Sequence, residues 1–278
     1  MSSMGDNSIS MENLVFAFSL TLFAGLSTGI GSCMAFFAKR TNTKFLSLAL
    51  GFSAGIMIYI SFVEIFHKGQ TSLIQVWGEE LGRIYNVIGF FFGIALIAVI
   101  DKLIPGHENP HEDMKIEEMD DSKKQVDFKK LHRVGLVTAF AISLHNFPEG
   151  LATFFSAMQD PKTGVAIAVA IAIHNIPEGI AVSIPIYYAT GSRKKAFAYS
   201  FLSGVSEPLG AVIGYFLLKN LMLESLVGAV FSMIAGIMVF ISLDQLLPAA
   251  RQYGEHHLAV YGMISGMLVM ALSLLLFV

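Results

Sequence analysis

The chain has 278 residues, 54% hydrophobic and only 14% charged, with mean hydropathy +0.65 and a formal net charge of −3. A soluble domain carries about 25% charged residues, so this composition excludes an ordinary soluble domain and indicates a polytopic membrane protein. The small net charge excludes a nucleic-acid partner, and the single cysteine, Cys33, excludes an intrachain disulfide framework or a thiolate metal site.

Residues 1–12 carry Asp6 and Glu12 but no Lys or Arg. A cleaved signal peptide needs a basic start, so the first apolar run is expected to be a retained span. Eight runs are long enough to cross a bilayer, which takes about 20 helical residues. They fall at 13–38, 45–66, 84–104, 132–158, 163–189, 195–218, 226–248 and 258–278. Stretches such as 90–100 and 165–173 do not alternate apolar with polar residues, as barrel strands do. Helices also satisfy every backbone group within the segment. The expected fold is therefore an all-α integral membrane protein, with residues 1–278 as one transmembrane domain.

Lys and Arg set the orientation. The connections after spans one, three, five and seven hold fourteen of the eighteen; the other side holds Lys68, Arg83, Lys162 and Lys219. Both termini are then extracytoplasmic, in a cell (plasma) membrane. The stretch 105–131 becomes a flexible cytoplasmic loop. Its His107 and His111, with Glu108, Glu112 and Asp113, form a secondary candidate for weak metal capture.

Two internal repeats stand out. Residues 54–61 and 235–242 share an Ala-Gly-Ile-Met start and an Ile-Ser end, in spans two and seven. Residues 145–150 and 174–179 read His-Asn-x-Pro-Glu-Gly, in spans four and five. Each pair of spans runs antiparallel under this topology. Both repeats fit an inverted 3+2+3 arrangement, a transporter signature. Glycine pairs at four-residue spacing (25 and 29, 89 and 93, 210 and 214, 262 and 266) read as close helix packing.

The second repeat carries the chemistry. Residues i and i+3 or i+4 share a helix face, so His145, Asn146 and Glu149 form one stripe. His174, Asn175 and Glu178 form another. Polar groups inside a membrane are costly and need partners. Pro148 and Pro177 remove N–H donors and loosen the helices beside Leu144 and Ile173. In span six, Glu207 lies deep in an apolar run and precedes Pro208. Two imidazoles, two amides and three carboxylates could hold two adjacent cations, or one cation moving between ligand sets. Ser143, Thr153 and Ser183 lie near the stripes and read as helix-packing residues. Glu64 and His67 near one end of span two are candidate entry ligands; Asp244, Gln245, Asp101 and His256 are candidate exit ligands.

These motifs and the eight-span pattern closely resemble the ZIP family of divalent-metal transporters, in particular its short bacterial zinc-uptake members. The resemblance implies a binuclear metal centre in the transport path. Carried over, its ligands are His145, Asn146, Glu149, His174, Asn175, Glu178 and Glu207. It implies alternating access, a homodimer, and uptake of Zn²⁺. The ligand mix also suits Fe²⁺, Mn²⁺, Co²⁺ and Cd²⁺, with no prosthetic group. A membrane zinc protease would need His-Glu-x-x-His, and a di-iron enzyme Glu-x-x-His. Neither pattern occurs in the motif, so an enzyme is not expected.

Overall fold

A computed structural model describes residues 10–37, 43–103, 128–221, 224–253 and 256–277. The loop candidates His107, Glu108, His111, Glu112 and Asp113 lie outside the described residues. So do the side chains of His145 and His256. The described residues contain helices and no strand.

The helices are α1 (Met11–Phe37), α2 (Thr43–Ile60), α3 (Phe66–Trp77), α4 (Glu79–Leu103), α5 (Phe128–Gln159), α6 (Pro161–Thr190), α7 (Arg193–Gly204), α8 (Ser206–Leu221), α9 (Glu224–Ile241), α10 (Leu247–Tyr253) and α11 (His256–Phe277). Five-residue π-turns join α2 to α3 (Ser61–Ile65) and α9 to α10 (Ser242–Leu246). Among the described residues, seven helical stretches are long and apolar enough to cross a membrane. The protein is thus a multi-pass, all-helical membrane protein. α5 is long enough at 32 residues, but its polar motif and basic start dilute its hydropathy.

Local chemistry sets the joints. Gly78 ends α3 at φ 79° and donates to the Ile74 carbonyl at 2.9 Å. Gly191 ends α6 at φ 62° and donates to the Tyr187 carbonyl at 2.8 Å. Glycine reaches this left-handed region without steric cost. Asp160 starts α6: its carboxylate accepts from the Lys162 and Thr163 N–H groups, both at 3.2 Å, with Pro161 in the first turn.

Two features differ from the sequence expectation. The second span runs well past residue 66, because 66–77 continues as an amphipathic helix burying Gly69 and Leu73. Glu64 therefore sits inside the helical rod, within a π-turn, rather than near its end. The expected span 195–218 is broken at Val205. Pro208 has no N–H for the Gly204 carbonyl four residues back, and the chain re-forms as α8. By contrast, α5 and α6 stay helical through Pro148 and Pro177.

Packing is close and backbone-led. A Cβ at Gly51 or Gly55 of α2 would strike the Ala259 or Met263 carbonyl of α11, and one at Gly262 or Gly266 the Leu48 or Phe52 carbonyl of α2. Likewise Gly93 abuts the Met233 carbonyl and Gly236 the Phe90 carbonyl, locking α4 to α9. Around the middle of the bundle, α6 has 72% of its most apolar window buried, against 22% for α4 and for α11. α6 is therefore central and those two are peripheral. Exposed side chains such as Phe91, Phe92 and Leu275 form an apolar outer wall, as a lipid-facing surface requires.

Candidate metal centre

α5 and α6 pack as neighbours joined through Asp160. Gly164 meets Ala157 near the connection, and one imidazole–carboxylate contact joins the helices further along. His174 Nε2 lies 3.2 Å from Glu149 Oε1, both groups being fully buried. Glu178, one turn beyond His174, is also fully buried. One ligand atom from each of Glu149, His174 and Glu178 falls within a span of 4.8 Å. Ligands about 2.0–2.2 Å from a tetrahedral ion stand about 3.3–3.6 Å apart. Small side-chain rotations would close the trio on one ion.

The amides reach outward to neighbouring helices. Asn146 Nδ2 donates to the Ser203 carbonyl of α7 at 3.2 Å. Asn175 Nδ2 donates to the Ala24 carbonyl of α1 at 2.9 Å, and also to Glu207 Oε1 of α8. That second bond ties Glu207 to the motif of α6. Glycines allow the approach: Gly150 abuts the Glu207 carbonyl and Gly179 the Thr28 carbonyl. Ser53 of α2 donates to the His174 carbonyl at 3.1 Å.

Three carboxylates and one imidazole are thereby concentrated in a fully buried interior. Such a set needs protons or cations. Several buried atoms are available to a cation: Glu149 Oε2, His174 Nδ1, Asn146 Oδ1, Asn175 Oδ1 and Glu207 Oε2 find no hydrogen-bond partner among the described residues. The chemistry of the set, imidazole with carboxylate and amide oxygen, matches a divalent transition ion.

The other candidates stand apart. Glu64 pairs with Lys68 at 3.2 Å in a half-buried i,i+4 contact. Gln245 Nε2 donates to Asp101 Oδ1 at 3.4 Å. None of these, nor His67 or Asp244, belongs to the trio of Glu149, His174 and Glu178. Of the hydroxyls read as packing residues, Ser143 and Ser183 bond to carbonyls of their own helices. Thr153 does not, nor does Ser156, which the sequence reading passed over.

Comparison with known proteins gives one consistent picture. The profile described as "ZIP Zinc transporter" matches residues 102–274. The chain is similar to the zinc transporter ZupT of Clostridium perfringens, 58% identical over 99% of each chain. It is 62% identical to ZupT of Nitratidesulfovibrio vulgaris, covering 95% of this chain and 98% of that one. It is also 62% identical to ZupT of Streptococcus mutans, covering 96% and 99%.

Proposed function

Because the chain belongs to the ZIP family of zinc transporters, we propose that it carries Zn²⁺ into the cytoplasm through a binuclear centre near the membrane midplane. It is a transporter, not an enzyme. The observation that carries the reading is the convergence of Glu149, His174 and Glu178 within 4.8 Å, with Glu207 bonded to Asn175 beside them. The proposed ligands are His145, Asn146, Glu149, His174, Asn175, Glu178 and Glu207.

The ligand set mixes imidazole and carboxylate with amide oxygen, which holds an ion more weakly, and adjacent sites sharing ligands lower the cost of each step. The same mix admits Fe²⁺, Mn²⁺, Co²⁺ and Cd²⁺. α5 is the eighth span, and 105–131 is its cytoplasmic approach. The Lys and Arg distribution supports extracytoplasmic termini.

Matching contacts support the 3+2+3 inverted repeat. Gly55 against Met263 pairs with Gly236 against Phe90. Gly31 against the Ile176 carbonyl pairs with Gly210 against the Phe147 carbonyl. Asn175 to Ala24 pairs with Asn146 to Ser203. The two π-turns begin at Ser61 and Ser242, the last residues of the eight-residue repeat. Both serines donate to a methionine carbonyl one turn back, at 2.6 and 2.7 Å. Such turns mark functional points in helices. The homodimer is the assembly the family resemblance implies, and mass measurement in nanodiscs reads it.

Zinc influx into proteoliposomes loaded with a zinc-sensitive dye tests the centre. Removing even a supporting partner of a metal ligand costs about 10–100-fold, so Glu149→Ala and Glu178→Ala should each lose more than that. Wild-type influx in either variant would remove that carboxylate from the path. No influx in the wild type would refute transport.

A further inference from the structure

Most hydroxyls described in the bundle look after themselves. Those of Thr21, Ser32, Ser61, Ser143 and Ser232 each donate to the carbonyl four residues back. Thr153 and Ser156 are as deeply buried as any of these, at 0% exposure, yet neither oxygen has a partner among the described residues. An unmet hydroxyl in a buried interior is destabilising. Valine and alanine would avoid that cost at nearly the same size.

Their position supplies a reason. At 3.6 residues per turn, Glu149, Thr153 and Ser156 fall within an arc of about 60° on one side of α5, and Asp160 follows the end of that helix as the cap of α6. The two hydroxyls stand about 6 and 10 Å along the axis from Glu149. The neighbouring helix offers nothing polar at this level: residues 165–173 of α6 are all Ala, Val or Ile. At its far end the stripe meets charge. Asp160 attracts the Lys68 ammonium, which pairs with Glu64.

We propose that Thr153 and Ser156 are transit ligands: neutral hydroxyl oxygens that hold a partly hydrated divalent ion between the Asp160 end of α5 and the central cluster. The inference rests on the transport reading above. A hydroxyl is a weak oxygen ligand for a divalent ion, so it lowers the cost of crossing an apolar wall without trapping the cargo. The α6 side remains apolar, which leaves Glu149 as the next strong ligand.

The test is the double variant Thr153→Val with Ser156→Ala in dye-loaded vesicles. The maximal zinc influx rate should fall about tenfold. Zinc bound per purified protein in detergent should stay at the wild-type value, and thermal stability should be unchanged or higher. Thr153→Ser, which keeps an oxygen, should transport near the wild-type rate. A wild-type rate in the double variant overturns the inference. So does a parallel loss of bound zinc, which would make the residues structural supports of the centre. If the double variant does not fold, Ser156→Ala alone carries the test, with a loss of at least threefold expected and a wild-type rate overturning it. The two readings fail separately. Influx that survives Glu149→Ala refutes the central site. Influx that is lost in Glu149→Ala but survives the double variant refutes only the transit ligands.

Discussion

The two copies of His-Asn-x-Pro-Glu-Gly have the same letters and different neighbours. Against Gly150 of the first copy lies the backbone of Glu207; against Gly179 of the second lies the backbone of Thr28. The matched positions of α8 and α1 thus carry a carboxylate and a hydroxyl. The consequence shows in the amides. Through its amide nitrogen Asn175 bonds a helix carbonyl and the Glu207 carboxylate, whereas among the described residues Asn146 bonds a helix carbonyl alone. A duplicated motif has two unequal surroundings, and one residue outside the motif makes the difference. Under the proposed transport, the half-site with the extra carboxylate would bind the ion more tightly, and the other would release it more readily.

What the copies share can be broken first. Gly150 and Gly179 each stand where a Cβ would overlap a backbone carbonyl of a neighbouring helix. A backbone group cannot rotate away as a side chain can, and overpacking costs about 1–3 kcal/mol or more. Gly150→Ala and Gly179→Ala should therefore both lower the thermal midpoint and the yield of monodisperse protein, by similar amounts. A large difference between them would show that the two close approaches are not equivalent.

What the copies do not share comes next. Glu207→Gln keeps the shape and an acceptor for Asn175 but removes the ionisable carboxyl. It should change zinc influx, or the ratio of zinc to manganese influx, by about tenfold, the scale of a lost supporting group at a metal site. Thr28→Val removes only an unmet hydroxyl and should leave both within about twofold, the reverse of a ligand's loss. Equal effects would erase the asymmetry. Unchanged transport of both metals in Glu207→Gln would take Glu207 out of the site.

Much of this was legible in the sequence because membrane physics leaves few choices. Apolar runs become helices, and a His, Asn and Glu at i, i+1 and i+4 must share a stripe. The convergence of Glu149, His174 and Glu178 follows from two such stripes on adjacent helices. The partner choice of Asn175 was not legible, because it depends on how α8 restarts after the break at Val205. The π-turns at Ser61 and Ser242 were equally hidden: the repeat that ends at each serine was visible, but a one-residue change in hydrogen bonding leaves no compositional mark. The extension of α3 was missed for a simpler reason. Its face buries a glycine and a leucine, too thin a stripe to stand out beside His67, Lys68 and Gln70. Thr153 read as packing because its missing bond is visible only once the helix is built.

The connector between the copies gives the smallest expected effect and a check on how their register is held. Asp160 fixes the start of α6, and so the level at which His174 meets Glu149. The Thr163 hydroxyl, above all, holds its carboxyl below the usual range. Burial opposes it as the next largest effect, and the Thr163 and Lys162 N–H groups and the Lys68 charge assist. A depressed carboxyl contributes stability above its unfolded value of about 3.9, and that contribution is lost as pH falls through the lower folded value. Asp160→Ala should thus cost about 1 kcal/mol at pH 7, as the loss of a helix N-cap does. The gap to wild type should hold down to pH 5 and shrink below about pH 4. Asp160→Asn, which caps without a charge, should lose less and show no such pH dependence. Thermal midpoints of the three proteins across this range provide the measurement. A gap that persists unchanged at pH 3 would mean that the ionised cap is not what sets the register of the two half-sites.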